Sequence, residues 1–251
     1  MFGTTPFCTI FVAALSMSPN GLHVDGLDVL RRFDSCTIAN AIERFNVRPR
    51  NEGFMSGGPV CRFPDRQAVV GHAVTGRIRT YMPPVAGKCY YEHTEWWRYL
   101  DSRPRPRIVV LEDFDNQPGV GALFGEIHAR ICRALGCVGY VTNGAVRDLG
   151  GIEPLGFQLF SGSVAVSHAY AHVVDFGDTV EVGGLQVQPG DILHGDRNGI
   201  VSVPADLVAR LPQMAEQLGR EEQELIDLTE SPDFSTEALI AKLHGFAEKQ
   251  K

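Results

Sequence analysis

The sequence lacks closely spaced cysteine pairs: it has six cysteines in 251 residues, and no two of them have CxxC spacing. A chain of this length can bury a hydrophobic core without disulfide bonds, so we expect free thiols in a reducing compartment. It also lacks any stretch long and apolar enough to cross a bilayer. The most apolar segment, residues 6–17, has no Lys or Arg before it, unlike a signal peptide. We therefore expect a cytoplasmic protein with no membrane partner.

The motifs of several enzyme classes are absent as well. There is no GxSxG elbow of a covalent hydrolase, no GK[ST] of a P-loop, and no HExxH zinc motif. His168 and His172 are four residues apart, as helical metal ligands can be. They fall in a stretch typical of a strand, so we interpret them as ordinary sheet histidines.

The charge balance argues against a nucleic-acid partner. Lys and Arg total 23 and Asp and Glu total 30, which gives a net charge of −7. Affinity for nucleic acid depends on neutralising phosphates, which an acidic protein does poorly. Hydrophobic residues make up 44% and charged residues 21% of the chain, as in folded globular proteins. The 27 Gly and 15 Pro favour a sheet-rich protein with many turns over a helical bundle.

The hydrophobic periodicity predicts helices at both ends of the chain. Residues 24–45 have helical spacing with a break at Phe33–Asp34, and Ser35 or Thr37 is the candidate cap of the second helix. Pro204 is predicted to begin the C-terminal helices, and Pro212 to kink or divide the first of them.

The centre of the chain is predicted to be mixed. A helix is expected over residues 122–135, with Leu123, Ile127, Ile131 and Ala134 on one apolar stripe. Clean βαβ alternation is missing, which excludes a TIM barrel and an ordinary doubly wound sheet. The predicted strands and hairpins lie at 67–81, 107–113, 138–142, 158–160, 163–175, 180–187 and 192–203.

Residues 111–152 carry the strongest chemical signal. Gly119, Gly121 and Gly125 free the backbone at the start of the predicted helix. Unpaired amides at a helix N-terminus, together with the helix dipole, attract a carboxylate or phosphate. The glycine spacing matches neither the dinucleotide fingerprint nor a P-loop, so a plain tight turn is the alternative interpretation.

A second turn follows the next predicted strand, which is expected to end at Asn143–Gly144. Sites in open α/β sheets lie at such strand ends. Arg147 there can hold a carboxylate with two hydrogen bonds. Asp148 offers a hard oxygen ligand to Mg²⁺ or Mn²⁺, which keep several waters and need few protein ligands. An ordinary surface ion pair is the alternative for these two residues taken alone.

The runs GALFGE (121–126) and GCVGYVTNGAVRD (136–148) resemble the signature of the RraA-like family. That family includes 4-hydroxy-4-methyl-2-oxoglutarate/4-carboxy-4-hydroxy-2-oxoadipate aldolases, oxaloacetate decarboxylases and the regulator of ribonuclease E activity A. The resemblance covers roughly residues 27–208. It implies an α/β (α+β) fold, a layered β/β/α sandwich like the swivelling phosphohistidine domain with N- and C-terminal helices, assembled as homotrimers or hexamers.

The resemblance also implies roles for individual residues. The amides of Ala122, Leu123, Phe124 and Gly125 match those that hold pyruvate in the aldolases. Arg147 matches the arginine that binds the pyruvyl group, and Asp148 matches the direct metal ligand. Glu126 matches an acidic residue that orients a water. The regulator branch can lack the aspartate after the arginine, so Asp148 favours the enzymes.

Three features depart from the family pattern. Asn40 stands where an aspartate is expected, and Asn143 stands where a supporting carboxylate is usual. The segment 81–105 is longer and more aromatic than expected, which predicts an unusual substrate tail. The resemblance divides the chain into an N-terminal extension (1–23), a catalytic domain (24–208) and a C-terminal helical tail (209–251).

We therefore expect a lyase that depends on Mg²⁺, Mn²⁺ or another divalent cation and acts on a pyruvyl-containing 2-oxo acid. It would cleave a carbon–carbon bond by retro-aldol reaction, by oxaloacetate decarboxylation, or both, as class II aldolases do. Arg147 would add positive charge where the enolate oxygen develops. The alternative is a non-enzymatic protein that binds and regulates a ribonuclease, which predicts no metal dependence.

Overall fold

The computed structural model of the protein describes residues 24–84 and 94–249. The predicted N-terminal extension lies outside the described residues, as does part of the long aromatic segment. The first two helices are α1 (Val24–Leu30) and α2 (Ser35–Glu43), separated at the predicted break. The cap of α2 is Asp34 rather than Ser35 or Thr37, because its Oδ1 accepts a hydrogen bond from the Thr37 N–H at 2.6 Å.

Five more helices and eleven strands follow within the described residues. The helices are α3 (Thr94–Asp101), α4 (Glu126–Ala134), α5 (Leu149–Ile152), α6 (Leu211–Glu230) and α7 (Thr236–Lys249). The strands are β1 (Val60–Cys61), β2 (Val69–Arg79), β3 (Arg107–Asp113), β4 (Ala122–Phe124), β5 (Cys137–Val146), β6 (Gln158–Val164), β7 (His172–Phe176), β8 (Val180–Val182), β9 (Leu185–Val187), β10 (Ile192–Asp196) and β11 (Gly199–Val203).

Nine of these strands form one mixed sheet in the order β1-β6-β5-β3-β2-β10-β11, with β4 paired to β5 and β7 paired to β2. Strands β6, β5, β3 and β2 are parallel neighbours at its centre. Phe54 bridges to Val201 at one edge, and β1 pairs with β6 at the other, so the segment between them nearly closes the sheet into a barrel. The predicted α/β fold with helices at both ends is confirmed.

Both faces of the sheet are covered. On β3, Val109 and Leu111 pack in an apolar cluster that includes residues of α3 and α4, while Ile108 and Val110 pack against the β8–β9 hairpin. A third cluster joins α1, α2 and α6 to β10 and β11. The continuous apolar run of residues 107–113 therefore forms a strand buried on both sides, as its sequence predicts. Among the described residues, no helix is both long enough and apolar enough to span a bilayer.

The predicted helix over residues 122–135 is wrong at its start. Ala122 and Phe124 pair with Ala145 and Val146 of β5, so the first three residues form a strand. Helix α4 begins at Glu126, with Gly125 in the capping position. This places Glu126 in the first helical turn, directly beside the end of β5.

The apolar stripe predicted on that helix is wrong as well. Ile127 and Ile131 are 61% and 37% exposed. The side chains that α4 buries are those of His128, Ala129 and Cys132. The pairing of β4 with β5 fixes which side of the following helix faces the sheet, and this long-range constraint overrides the local apolar pattern.

The C-terminal helices also begin differently from the prediction. Pro204 precedes a single 3₁₀ turn, Ala205–Leu207, and the long helix α6 starts only at Leu211. Pro212 therefore lies in the first turn of α6, where its missing N–H costs nothing, and does not kink the helix. An ion pair between Arg44 and Glu221 at 3.1 Å links α2 to α6.

Strand β5 is longer than predicted, because it continues past Asn143–Gly144 to Val146. The side chain of Asn143 joins it to β3. Its Oδ1 accepts a hydrogen bond from the Asp113 N–H at 2.7 Å, and its Nδ2 donates to the Asp113 carbonyl at 3.0 Å. An aspartate cannot make the second bond, because an ionised carboxylate has no donor.

Asn143→Asp is expected to lower the free energy of unfolding by about 1–3 kcal/mol, since it leaves the Asp113 carbonyl without its donor. It also brings a negative charge near the Asp113 carboxyl, whose pKa burial already raises. Urea unfolding at neutral pH measures the loss. The exposed Asn116→Asp is the matched control and should be close to wild type. Equal stability of both variants would contradict the role given to Asn143.

A buried histidine makes stability depend on pH. His128 packs against the rings of Trp97 and Phe124, and burial lowers its pKa to about 4. Its pKa in the unfolded chain is about 6.5, so the unfolded chain binds the extra proton between those two values. Stability should therefore fall as the pH drops from 6.5 to 4, by roughly 3 kcal/mol in total at about 1.4 kcal/mol per pH unit.

The check is urea unfolding at pH 7 and pH 4.5. His128→Phe should reduce the pH dependence, because this site no longer titrates; the buried His194, whose pKa burial also lowers, still contributes. The exposed His244→Phe should leave it unchanged. The same slope in wild type and His128→Phe would show that this histidine is not the cause.

Candidate active site

Two separate sequence motifs meet where β4 lies beside the end of β5. Arg147 follows β5 directly, and its N–H donates to the Phe124 carbonyl at 2.9 Å. Gly125, the residue that follows β4, therefore lies against the Arg147–Asp148 pair. The glycine-rich turn and the Arg-Asp dipeptide, both singled out in the sequence, form one place in the fold.

Arg147 and Asp148 form an ion pair that leaves part of the guanidinium available. The Arg147 Nε donates to both Asp148 carboxylate oxygens at 3.2 Å. The two side chains are 27% and 41% exposed. Among the described residues, the hydrogen bonds of this guanidinium run through Nε, so its two Nη groups can bind a ligand carboxylate.

Asp148 has a backbone conformation that most residues avoid. Its φ of 57° and ψ of 38° lie in the left-handed region, where a non-glycine residue costs on the order of 1–2 kcal/mol. Asp and Asn tolerate this region best. The turn directs the carboxylate toward α4, so that its Oδ2 accepts from the Glu126 N–H at 3.4 Å.

Gly125 provides the space for this arrangement. A Cβ atom at that position would lie 2.6 Å from the Asp148 Oδ2 and 3.0 Å from the Arg147 Cγ. The backbone of Gly125 is extended, with φ of −140°, so the requirement is for space rather than for an unusual conformation. Any side chain here would push the ion pair away.

The other predicted pyruvate-binding residues, Ala122, Leu123 and Phe124, are buried in β4. The Ala122 N–H already donates to the Ser167 carbonyl at 3.0 Å. The His168 imidazole contacts the Ala122 carbonyl, with its Nδ1 at 2.6 Å, so this histidine supports β4. An amide cradle for a carboxylate would have to come from the residues after Ala122.

Glu126 completes the group as the first residue of α4. Its Oε1 accepts two hydrogen bonds from Arg130, one from Nε at 2.8 Å and one from Nη2 at 2.6 Å. Its other oxygen, Oε2, lies beside Gly151. Two carboxylates and two guanidinium groups thus surround the end of β5, partly open to water.

The donor atoms decide which metal ions fit this site. Within the described residues, there is no group of three or more His, Cys, Asp or Glu that could hold a metal ion. Asp148 and Glu126 offer carboxylate oxygens, the ligands that Mg²⁺ prefers, and Mg²⁺ retains several waters. The site therefore fits a hard cation held by Asp148 and water. It does not fit structural zinc, which needs a closed set of protein ligands.

The sequence analysis did not identify Asp113, which ends β3 and supports the neighbouring turn. Its carboxylate Oδ2 accepts from the Gly119 N–H at 2.7 Å and from the Thr80 hydroxyl at 3.3 Å. These bonds hold the turn that leads into β4. The available signal in the sequence was an acidic residue at the end of an apolar run.

A cavity of about 360 Å³ opens nearby, lined by Arg79, Tyr81, Met82, Phe114, Asp115, Asn116 and Gln117.

The fold is that of a mixed α/β protein with helices at both ends, and its candidate site lies where a strand ends. The sequence pattern of the RraA-like family, described as Aldolase/RraA, matches residues 35–202. That match covers more than half of the chain, and the protein belongs to the RraA-like family.

Individual relatives are distant. A protein of Halalkalibacterium halodurans, provisionally named 4-hydroxy-4-methyl-2-oxoglutarate aldolase, is 27% identical over 84 residues, which are 33% of this chain and 40% of that protein. The matched region thus spans less than half of this curated relative.

Solved structures share the fold. An uncharacterized protein of Pseudomonas syringae pv. tomato has a TM-score of 0.69 at 21% identity, over 92% of this chain and 99% of its own. RraAS2 of Streptomyces coelicolor, described as an unusual member of the RNase ES inhibitor RraA protein family, has a TM-score of 0.63 at 21% identity, over 81% of this chain and 96% of its own.

Proposed function

We propose that the protein is a divalent-metal-dependent lyase that cleaves a carbon–carbon bond of a pyruvyl-containing 2-oxo acid. The observation that carries the proposal is the meeting of Arg147, Asp148, Gly125 and Glu126 at the end of β5. Membership of a family whose description includes aldolases supports lyase chemistry.

Arg147 would bind the pyruvyl half of the substrate. Its Nη groups can hold the carboxylate, and its charge would stabilise the negative charge that grows on the 2-oxo oxygen during bond cleavage. Retro-aldol cleavage and decarboxylation both leave an electron pair on the same carbon, so one arrangement serves both reactions.

Asp148 would hold Mg²⁺, Mn²⁺ or another divalent cation. When bound, such a cation supplies Lewis-acid stabilisation of the charge that develops on the substrate. Glu126, with one oxygen engaged by Arg130, would use its other oxygen to hold a water and move a proton. The side chains of the site are two ion pairs with no net charge, so the bound cation would supply the positive charge that suits a small dianionic substrate.

The test is pyruvate release from oxaloacetate, compared with a protein-free blank at the same Mg²⁺ concentration. Release above the blank that EDTA abolishes is expected. Rates equal to the blank would count against the lyase. The alternative, a non-enzymatic regulator of a ribonuclease, predicts that result together with metal-independent binding to the ribonuclease.

We also propose that the protein acts in the cytoplasm as a homotrimer or a dimer of trimers. Ile127 and Val166 are 61% and 95% exposed, and a partner subunit would cover such side chains. Light scattering at micromolar concentration should give three or six times the chain mass. A monomer would contradict the assembly.

A further inference from the structure

The carboxylate of Glu126 is confined on two sides. We propose that Arg130 and Gly151 are positioning residues that fix its orientation, so that Oε1 is held and Oε2 faces the turn that begins at Asp148. This inference rests on the proposed function, in which Glu126 handles a water and a proton. Arg130, one turn after Glu126 in α4, and Gly151, in the short helix α5, supply the two sides.

Gly151 leaves the space that the Glu126 carboxylate occupies. A Cβ atom there would lie 2.3 Å from the Glu126 Oε2, 2.6 Å from its Cδ and 3.0 Å from its Cγ. The N–H of Gly151 donates to the Asp148 carbonyl at 2.9 Å, so this glycine belongs to the same turn as the proposed metal ligand. A methyl group would have to displace the carboxylate by about 1 Å to reach an ordinary contact.

The neighbouring glycine provides an internal comparison. A Cβ atom at Gly150 would meet nothing within 4 Å. Both glycines belong to α5 and differ by one position in the chain. A general need for glycine in this helix would therefore affect both, whereas a need for space beside Glu126 affects Gly151 alone.

Arg130 confines the other oxygen. Its Nε and Nη2 both donate to the Glu126 Oε1, at 2.8 and 2.6 Å, across one helical turn. The two side chains are 54% and 37% exposed, and exposed pairs of this spacing stabilise a helix only slightly. The consequence of the pair is therefore mainly orientation: Oε1 is engaged, and Oε2 is left for a water.

The test is a double-mutant cycle with oxaloacetate and Mg²⁺. Gly151→Ala should lower kcat by about 10- to 100-fold with little change in KM, because a misplacement of about 1 Å has effects of this size. Gly150→Ala should stay near wild type. In a Glu126→Ala background, Gly151→Ala should have no further effect. Equal losses in both backgrounds would overturn the positioning role.

Arg130 is tested by the same logic. Arg130→Met should lower kcat with little change in KM, and Arg130→Lys should restore part of the rate. In the Glu126→Ala background, Arg130→Met should have no further effect on kcat. Equal losses of kcat in both backgrounds would overturn its part in the proposal.

A stability cycle separates this inference from the proposed function. Gly151→Ala should lower Tm when Glu126 is present and lower it less when Glu126→Ala has vacated the space. Wild-type protein that releases no pyruvate would end the lyase proposal without affecting this comparison. Equal Tm losses in both backgrounds would overturn the confinement of Glu126 whatever the activity.

Discussion

Asp148→Asn is expected to lower metal-dependent turnover by about 100-fold or more, while the protein remains folded. Metal stabilisation of developing charge is worth several kcal/mol, which corresponds to this factor. Asparagine has the size of aspartate, tolerates the left-handed backbone, and can still accept from the Glu126 N–H. It lacks the charge that holds a cation. Pyruvate release, with circular dichroism as the check on folding, measures the effect.

Two further substitutions at this position separate backbone strain from chemistry. Asp148→Gly and Asp148→Ala should both be inactive. The glycine variant should be the more stable, by about 1 kcal/mol, because only glycine adopts the left-handed conformation without strain. Activity near wild type in Asp148→Asn, with the same response to Mg²⁺, would rule out Asp148 as the metal ligand.

Arg147→Lys is expected to lose most turnover as well. Lysine keeps the positive charge but lacks the planar fork that binds a carboxylate with two hydrogen bonds. It also loses the Nε bonds that orient the group against Asp148. A guanidinium–carboxylate contact is worth roughly 1.5–3 kcal/mol, about tenfold to more than a hundredfold in affinity.

The matched control for that variant is Arg133→Lys, at an exposed position in the last turn of α4. It should leave both KM and kcat unchanged. If Arg147→Lys behaves like this control, Arg147 serves the structure of the turn and does not bind substrate.

Local sequence predicted those parts of the fold that depend on neighbours in the chain. The apolar run of residues 107–113 became β3 with the same bounds. The Gly183–Gly184 turn joins β8 to β9 because both glycines have positive φ, of 58° and 74°. In each case the residues themselves contain the reason for the structure.

The parts that sequence could not predict depend on pairing between distant segments. Strand β4 exists because β5 continues far enough to pair with it. The exposure of Ile127 and the burial of His128 follow from that pairing. Helical periodicity reflects local sequence only, so it predicts neither the exposure of Ile127 nor the burial of His128.

In the candidate site, too, some residues could be predicted from local sequence and others only from contacts between distant segments. Arg147, Asp148 and Gly125 stand out in the sequence because their residue types and spacing match chemistry and a family signature. Gly151 and Arg130 have no such signal, since one of two adjacent glycines and one of many surface arginines look ordinary. Only their contacts with Glu126 distinguish them.

The central claim is a metal-dependent pyruvyl site, and the most direct test is isothermal titration of oxalate. This planar dianion resembles the pyruvate enolate, which the proposed site should bind more tightly than pyruvate itself. With Mg²⁺ we expect saturable binding that EDTA abolishes and that Arg147→Ala weakens at least about tenfold. Oxalate binding that persists in EDTA, or no binding at millimolar oxalate with Mg²⁺, would contradict the claim.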